Sequence, residues 1–276
     1  MSGLRLAAAA SSTTTFTNNS AQTYTINSAV ESNNVNSSLA FAGSGNFLFN
    51  FAGDAFRNQN NLSGIILNSA YTGTVTIAAG SRAAARNGDI TVNGGAFRLN
   101  GTTTNLVSIT TNNGGTLLGS GTANDNPSNT GAGFQVNSGG VVNPGAIAGT
   151  GTLTINRTST TFGAGSTLSL DLLSNISYDQ LSFTLSGGNA PLTLTTTGLG
   201  AALDINLLTG FSAIVQLPFS QQVIHRSLET WLLCGNPLFV LGIGEMPSGE
   251  EKRTACFDIV MAKEIDATTS VLKFKE

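Results

Sequence analysis

The sequence predicts an all-β chain wound as a β-solenoid, a stack of short parallel strands joined at tight corners. Three observations carry this. The first is a phrase repeated between about residues 90 and 156, in which a short alternating strand ends in Asn and usually runs into a glycine pair. Ile90-Thr91-Val92 leads into Asn93-Gly94-Gly95, Ile109-Thr110-Thr111 into Asn112-Asn113-Gly114-Gly115, and Phe134-Gln135-Val136 into Asn137-Ser138-Gly139-Gly140. Leu153-Thr154-Ile155 leads into Asn156 without the glycines. The second observation is spacing: the glycine pairs begin at 94, 114 and 139, and the longer interval holds the turn-rich Asn124-Asp125-Asn126-Pro127-Ser128. A strand-and-turn period of about 20 to 50 residues marks a solenoid. The third is strand length. Runs of about three to five residues are too short to form a stable sheet alone, so successive coils must stack to bury their inward side chains.

The elements follow in order. Residues 1–20 read as a leader or the remnant of a truncated signal peptide. Arg5 precedes the run Leu6 to Ala10, which is shorter than the ~7–15 apolar residues of a signal-peptide core. Thr23–Ile26 and Ser38–Phe41 alternate, Phe47–Phe51 is densely apolar, and glycines at 43, 45 and 53 punctuate them. Gly64–Leu67 and Gly73–Ala78 come next, then the repeats. Further on, Leu168, Leu170 and Leu172 share one face of a strand. No helical period occurs before residue 220, so the solenoid is expected over 21–219.

Coils of about 20 residues would give about ten coils and a rod ~45–50 Å long at ~4.8 Å per coil. Ile90, Val92, Phe97, Leu99, Ile109, Leu117, Phe134, Val136, Leu153 and Ile155 are the expected core. Asn93, Asn112, Asn137 and Asn156 are expected at corners, where amides can hydrogen-bond from coil to coil as a ladder. The alternative is that Asn-Gly-Gly marks ordinary hairpin turns of a β-sandwich. The 20-residue phrase fits that less well.

Composition divides the chain near residue 220. Charged residues make up 10% of the sequence, against about 25% in an ordinary soluble domain. Residues 1–219 hold six Arg, no Lys and seven acidic residues. The 57 residues of 220–276 hold as many basic residues and eight acidic ones, with the only His (His225), the only Trp (Trp231) and both Cys (Cys234, Cys256). The tail is therefore expected to be atypical, partly helical or disordered, with one helix-like run over 225–234. A net charge of -3 gives no electrostatic case for nucleic acid.

Three runs then resemble the passenger-domain repeats of bacterial autotransporters: Gly139-Gly140-Val141-Val142-Asn143-Pro144-Gly145, Gly149-Thr150-Gly151-Thr152-Leu153-Thr154-Ile155, and Phe162-Gly163-Ala164-Gly165-Ser166-Thr167-Leu168. Tyr178-Asp179-Gln180-Leu181-Ser182-Phe183 is similar to that family's "YDxLxV" phrase, and Tyr71–Ile77 to its autotransporter-associated β-strand repeat. The resemblance covers about residues 60–215. It implies a right-handed parallel β-helix, displayed on or released from the outer surface of a Gram-negative-type bacterium. A complete member ends in a translocator barrel of alternating strands of roughly 10 residues. Residues 220–276 do not read that way, so outer-membrane association would run through a translocator absent from this chain.

The residues point to no catalytic, cofactor-binding or metal site. No G-x-S-x-G, G-x-G-x-x-G or P-loop pattern occurs, and Cys234, Cys256 and His225 have no zinc spacing. Asp54, Asp89, Asp125, Asp171, Asp179 and Asp204 are isolated singles, as turn-forming aspartates usually are. The expected function is thus a non-enzymatic surface or secreted stalk or adhesin-like passenger. Its expected partners are surface glycans or host or neighbour-cell proteins. The alternative is a polysaccharide-active β-helix lyase or hydrolase with its site assembled across coils. Such a site needs carboxylates within about 10 Å of each other, and Asp89 and Asp125, both near strand ends, are its candidates.

Overall fold

The computed structural model describes residues 4–6, 9–32, 36–57, 62–125, 133–146, 148–156, 159–174, 177–184, 192–194 and 200–212, with 238–243, 254–255, 257–262 and 271–272 in the tail. Every regular element among them is a β-strand. The chain winds through three faces per coil, and each strand pairs in parallel with its counterparts one coil below and one coil above.

On the first face lie Tyr24–Ile26, Phe47–Phe49, Thr74–Ile77, Gly95–Leu99, Gly115–Gly119, Val141–Pro144, Thr167–Ser174 and Ala202–Ser212, stacked in chain order. The second face starts with Thr13–Asn18, Ser37–Gly43 and Leu62–Leu67. It continues through the later parts of Ser81–Val92 and Thr102–Thr111, then Phe134–Val136, Thr160–Phe162 and Leu192–Leu194. The third face starts with Leu4–Leu6, Val30–Ser32 and Phe56–Arg57. It continues through the early parts of Ser81–Val92 and Thr102–Thr111, then Thr122–Asp125, Thr152–Asn156 and Gln180–Thr184. Register shifts after Ala84 and after Thr103 turn those two long strands from one face to the next. This is a parallel β-solenoid, and the hairpin-joined sandwich does not describe it.

The expected coil count needs correction. Among the described residues the eight first-face strands make eight coils, a stack about 35–40 Å long, where ten coils of about 20 residues were expected. The 20-residue step holds where Arg82 lies under Thr102, Gly95 under Gly115 and Thr102 under Thr122. Elsewhere Leu4 pairs with Val30, Val30 with Phe56, and Thr122 with Thr154, so those coils are longer. The extra residues sit in corners, where a bulge leaves the stack intact, so the repeated phrase measures the tightest coils only. Within residues 1–20, Leu4–Leu6 and Thr13–Asn18 form strands of the first coil.

All ten expected core residues are buried in one continuous apolar cluster. The cause is the strand period: alternate side chains point inward, and each coil buries the inward row of the coil beneath it. Aromatic rings dominate the early coils. Phe41 meets Phe47 at 5.0 Å between ring centroids and Phe49 meets Phe56 at 4.6 Å. Such pairs contribute about 0.5–1.5 kcal/mol each beyond their buried area. Towards the C-terminus the packing passes to a smaller cluster of Leu170, Leu172, Leu203 and Ile205.

In the tail, Leu238–Ile243 pairs antiparallel with Phe257–Ala262. Thr254–Ala255 pairs antiparallel with Phe183 and Thr184, and Val271–Leu272 with Leu203 and Asp204. The helix-like run 225–234, with His225, Trp231 and Cys234, lies outside the described residues, as does Cys256.

Candidate functional site

Two constructions on the outside of the stack place polar side chains deliberately: an amide ladder at one corner and a pair of carboxylates near the C-terminal coils.

The ladder forms where the second face turns into the first. Asn112 donates from Nδ2 to Oδ1 of Asn93 at 2.7 Å, and Asn137 donates to Oδ1 of Asn112 at 2.7 Å. Asn fits here because its amide donates downward and accepts from above, so identical residues satisfy one another along the stack. The glycine beside it is a steric requirement. A Cβ on Gly115 would collide with the backbone carbonyl oxygen of Val92. Asn156 is a correction to the expected ladder. It follows a third-face strand, and its Nδ2 donates to Asn124 Oδ1 at 3.0 Å, a second ladder at another corner. The coil above Asn137 carries Gly163 at the equivalent place, so the first ladder stops there.

Asp89 and Asp125, the candidates for an enzyme's site, lie on strands two coils apart. Asp89 accepts a hydrogen bond from Ser108 Oγ at 2.6 Å, one coil above it. Asp125 pairs with Leu106, so the coil carrying Thr102–Thr111 separates the two aspartates. Asp54 forms an ion pair with Arg82 at 2.8 Å.

Asp171 and Asp179 meet instead, eight positions apart. Thr167–Ser174 turns back through Ser177–Tyr178 in a short antiparallel hairpin, with Leu172 opposite Tyr178. Asp179 then accepts from the backbone N–H of Gly151 at 2.8 Å through Oδ1, and from the N–H of Asp171 at 2.9 Å through Oδ2. Its own N–H donates to the carbonyl of Asp171 at 2.8 Å. Gly145, at φ 87°, approaches so closely that a Cβ there would lie 2.6 Å from Asp179 Oδ1. Asp171 is faced by the backbone N–H groups of Ala148 and Gly149 and by the amide of Asn206, with Asp204 beyond. Its Oδ2 is buried without a hydrogen-bond partner among the described residues.

Burial sets the electrostatics of this pair. Asp171 is 3% exposed and Asp179 4%. Desolvation pushes Asp179 up to about 7, with the Asp171 charge adding to it, against the two N–H donors that pull it down. Asp171 is raised as well, by burial first and by Asp204 in smaller part. A raised carboxyl of this kind suits a general acid in principle. Its oxygens, however, are spent on backbone donors and closed off from solvent. Chemically the pair is a latch that ties Gly151 to the Asp171 hairpin.

One open groove of about 560 Å³ runs along the corner between the second and first faces, lined by Gly73, Gly95, Ala96, Thr116, Val141 and Asn143 among others. It carries no charged side chain. Tyr71 at its edge donates its hydroxyl to Gly45 O at 3.0 Å, and burial pushes the phenol upward, so it offers no proton at neutral pH. Among the described residues no group of three or more His, Cys, Asp or Glu is placed to hold a metal ion.

The sequence reading missed the Asp171–Asp179 pair because their spacing carries no strand or helix period. The one signal was Asp179 itself, inside the phrase that follows the repeats. The chain matches no protein-family model and no curated protein.

Proposed function

We propose that this chain is a non-enzymatic stalk or adhesin-like passenger, exported and displayed on the outer surface of a Gram-negative-type bacterium in the manner of autotransporter passengers. One observation carries the reading. A continuous eight-coil stack presents columns of Thr, Ser, Asn and Gln outward, such as Thr91, Thr110, Gln135 and Thr161 on the second face. A stack of this kind is built coil by coil from local contacts and needs no disulfide, which suits a chain that must cross a membrane unfolded and fold outside. Its charge-poor exterior suits contact with surface glycans or proteins of a neighbouring cell.

The test is display. The full chain is placed between a cleavable signal peptide and a heterologous outer-membrane translocator barrel, and intact cells are treated with external protease. The reading predicts cell-surface protein that protease releases; folded protein retained in the periplasm contradicts it.

The second reading, a polysaccharide-active enzyme, has one observation in its favour, the raised Asp179 carboxyl beside Asp171. Release of reducing ends from pectin or alginate that disappears in Asp179→Asn would establish it in place of the first.

A further inference from the structure

We propose that Asn113 is a self-modification site, where the backbone nitrogen of Gly114 attacks the Asn113 side-chain amide, expels ammonia and leaves aspartate or isoaspartate at the corner. An Asn-Gly pair suits this chemistry because no Cβ on the second residue shields its nitrogen. The chain has four such pairs, at Asn87, Asn93, Asn100 and Asn113. Asn87–Gly88 lies inside the strand Ser81–Val92, and the other three pairs lie at corners.

The fold holds these three corners differently. Asn93 is a rung of the amide ladder, its Oδ1 accepting from Asn112 Nδ2 at 2.7 Å, and Gly94 is buried. Turning the Asn93 amide onto Gly94 would break the ladder. Asn100 Oδ1 accepts from the N–H of Ser120 at 3.3 Å in the coil above, while the N–H of Gly101 donates to Ile77 O at 3.2 Å in the coil below. The two groups that would react there face opposite ways.

Asn113 differs on each count. Asn113 and Gly114 are both exposed, and among the described residues no hydrogen bond holds the Asn113 amide. Its Cγ and Oδ1 lie against Gly139 of the coil above, so closely that a Cβ on Gly139 would collide with them. The N–H of Gly114 points to the same residue, donating to Gly139 O at 3.3 Å, longer than the usual ~2.7–3.2 Å. Nucleophile and amide therefore share one side of the corner, and the bond that restrains the nucleophile is weak. The corner also has slack. Val92 stacks under Thr111 and Gly95 under Gly115, so the gap that takes three steps at Asn93 takes four at Asn113.

The reaction balances with one water. The Gly114 nitrogen loses its proton to solvent and bonds to Cγ; the Cγ–Nδ2 bond breaks and Nδ2 takes up a proton and leaves as ammonia. Water then opens the cyclic imide. Hydrolysis at Cγ gives aspartate, and hydrolysis at the main-chain carbonyl gives isoaspartate, with the backbone rerouted through Cβ. Either product sets a carboxylate beside the Asn112 rung, on a corner of uncharged residues.

Incubation of the full chain in mildly alkaline buffer tests this, with fragment-ion mass spectrometry locating each acid and an isoaspartyl methyltransferase detecting isoaspartate. In the folded chain Asn113 should convert first, with Asn93 and Asn100 at least about tenfold slower. In urea that unfolds the chain, all four pairs should convert at similar rates, because the fold alone separates them. An Asn113 that stays intact in the folded chain while the unfolded chain reacts overturns the proposal. Conversion of Asn93 or Asn100 as fast as Asn113 in the folded chain overturns it too.

Discussion

Asn112 stands directly above Asn93, and its amide donates to the Asn93 carbonyl oxygen at 2.7 Å while accepting from Asn137 at the same distance. The middle rung therefore holds both neighbours, and each end rung holds one. Asn112→Ala should remove two hydrogen bonds and lower unfolding stability by about 1–3 kcal/mol. Asn137→Ala, at the end of the ladder, should cost about half as much. Urea unfolding of the two variants checks this, and equal costs would show that the amides do not act as a chain.

Thr111 occupies an inward position between Val92 below and Val136 above. It is fully buried, and its hydroxyl has no hydrogen-bond partner among the described residues. Thr111→Val keeps the shape and removes a desolvated hydroxyl, so it should raise stability by about 1 kcal/mol. A loss of stability in a thermal melt would mean that the hydroxyl is satisfied in solution.

The Asp171–Asp179 latch predicts the pH dependence of the C-terminal coils. Asp179 titrates near 7 in the folded chain against 3.8 for the ordinary carboxyl, so between those values the folded state holds a proton that the unfolded state has lost. Stability must then rise as pH falls from about 7.5 to 5, by at most about 1.4 kcal/mol per pH unit for this group. The gain levels off below about pH 4, where the unfolded carboxyl is protonated too. Asp171 is shifted in the same direction. Asp179→Asn should flatten the slope whatever it does to absolute stability. An unchanged slope in that variant would falsify the assignment.

Val136 and Gln135 are neighbours on one strand, the first buried in the core and the second exposed. Val136→Asp should be severe, because an unpaired carboxylate enters an apolar stack; a loss of more than about 4 kcal/mol or failure to fold is expected. Gln135→Asp should stay within about 0.5 kcal/mol. Similar costs for the two would reverse the inward and outward assignment.

Much of this architecture is legible in the sequence, for a physical reason. Inward residues such as Ile90, Ile109, Phe134 and Leu153 each meet the same environment one coil away, so stacking imposes alternation and Asn-Gly punctuation that can be read directly. The corners impose no such rule. The long coil steps from Thr122 to Thr154 and from Thr152 to Gln180 hide there, and counting coils from the shortest interval overshoots. The carboxylate latch was illegible because Asp171 and Asp179 are joined by a local turn and buried by the Gly145–Gly151 corner, a contact no periodicity encodes. Asn156 looked like a fourth rung because the phrase before it matches, yet it closes a different face.

The most direct test of the stacked-coil account is the distance between side chains in one outward column. Thr15, Gln135 and Thr161 belong to the same column of the second face, in the first, sixth and seventh coils. Spin labels at Thr15→Cys with Gln135→Cys, and at Thr15→Cys with Thr161→Cys, report these spacings by pulsed dipolar spectroscopy. Cys234 and Cys256 are replaced by Ser, and excess unlabelled protein suppresses signals between copies. At ~4.8 Å per coil the first pair should lie about 24 Å apart and the second about 29 Å. A second distance equal to or shorter than the first contradicts the stacked coils.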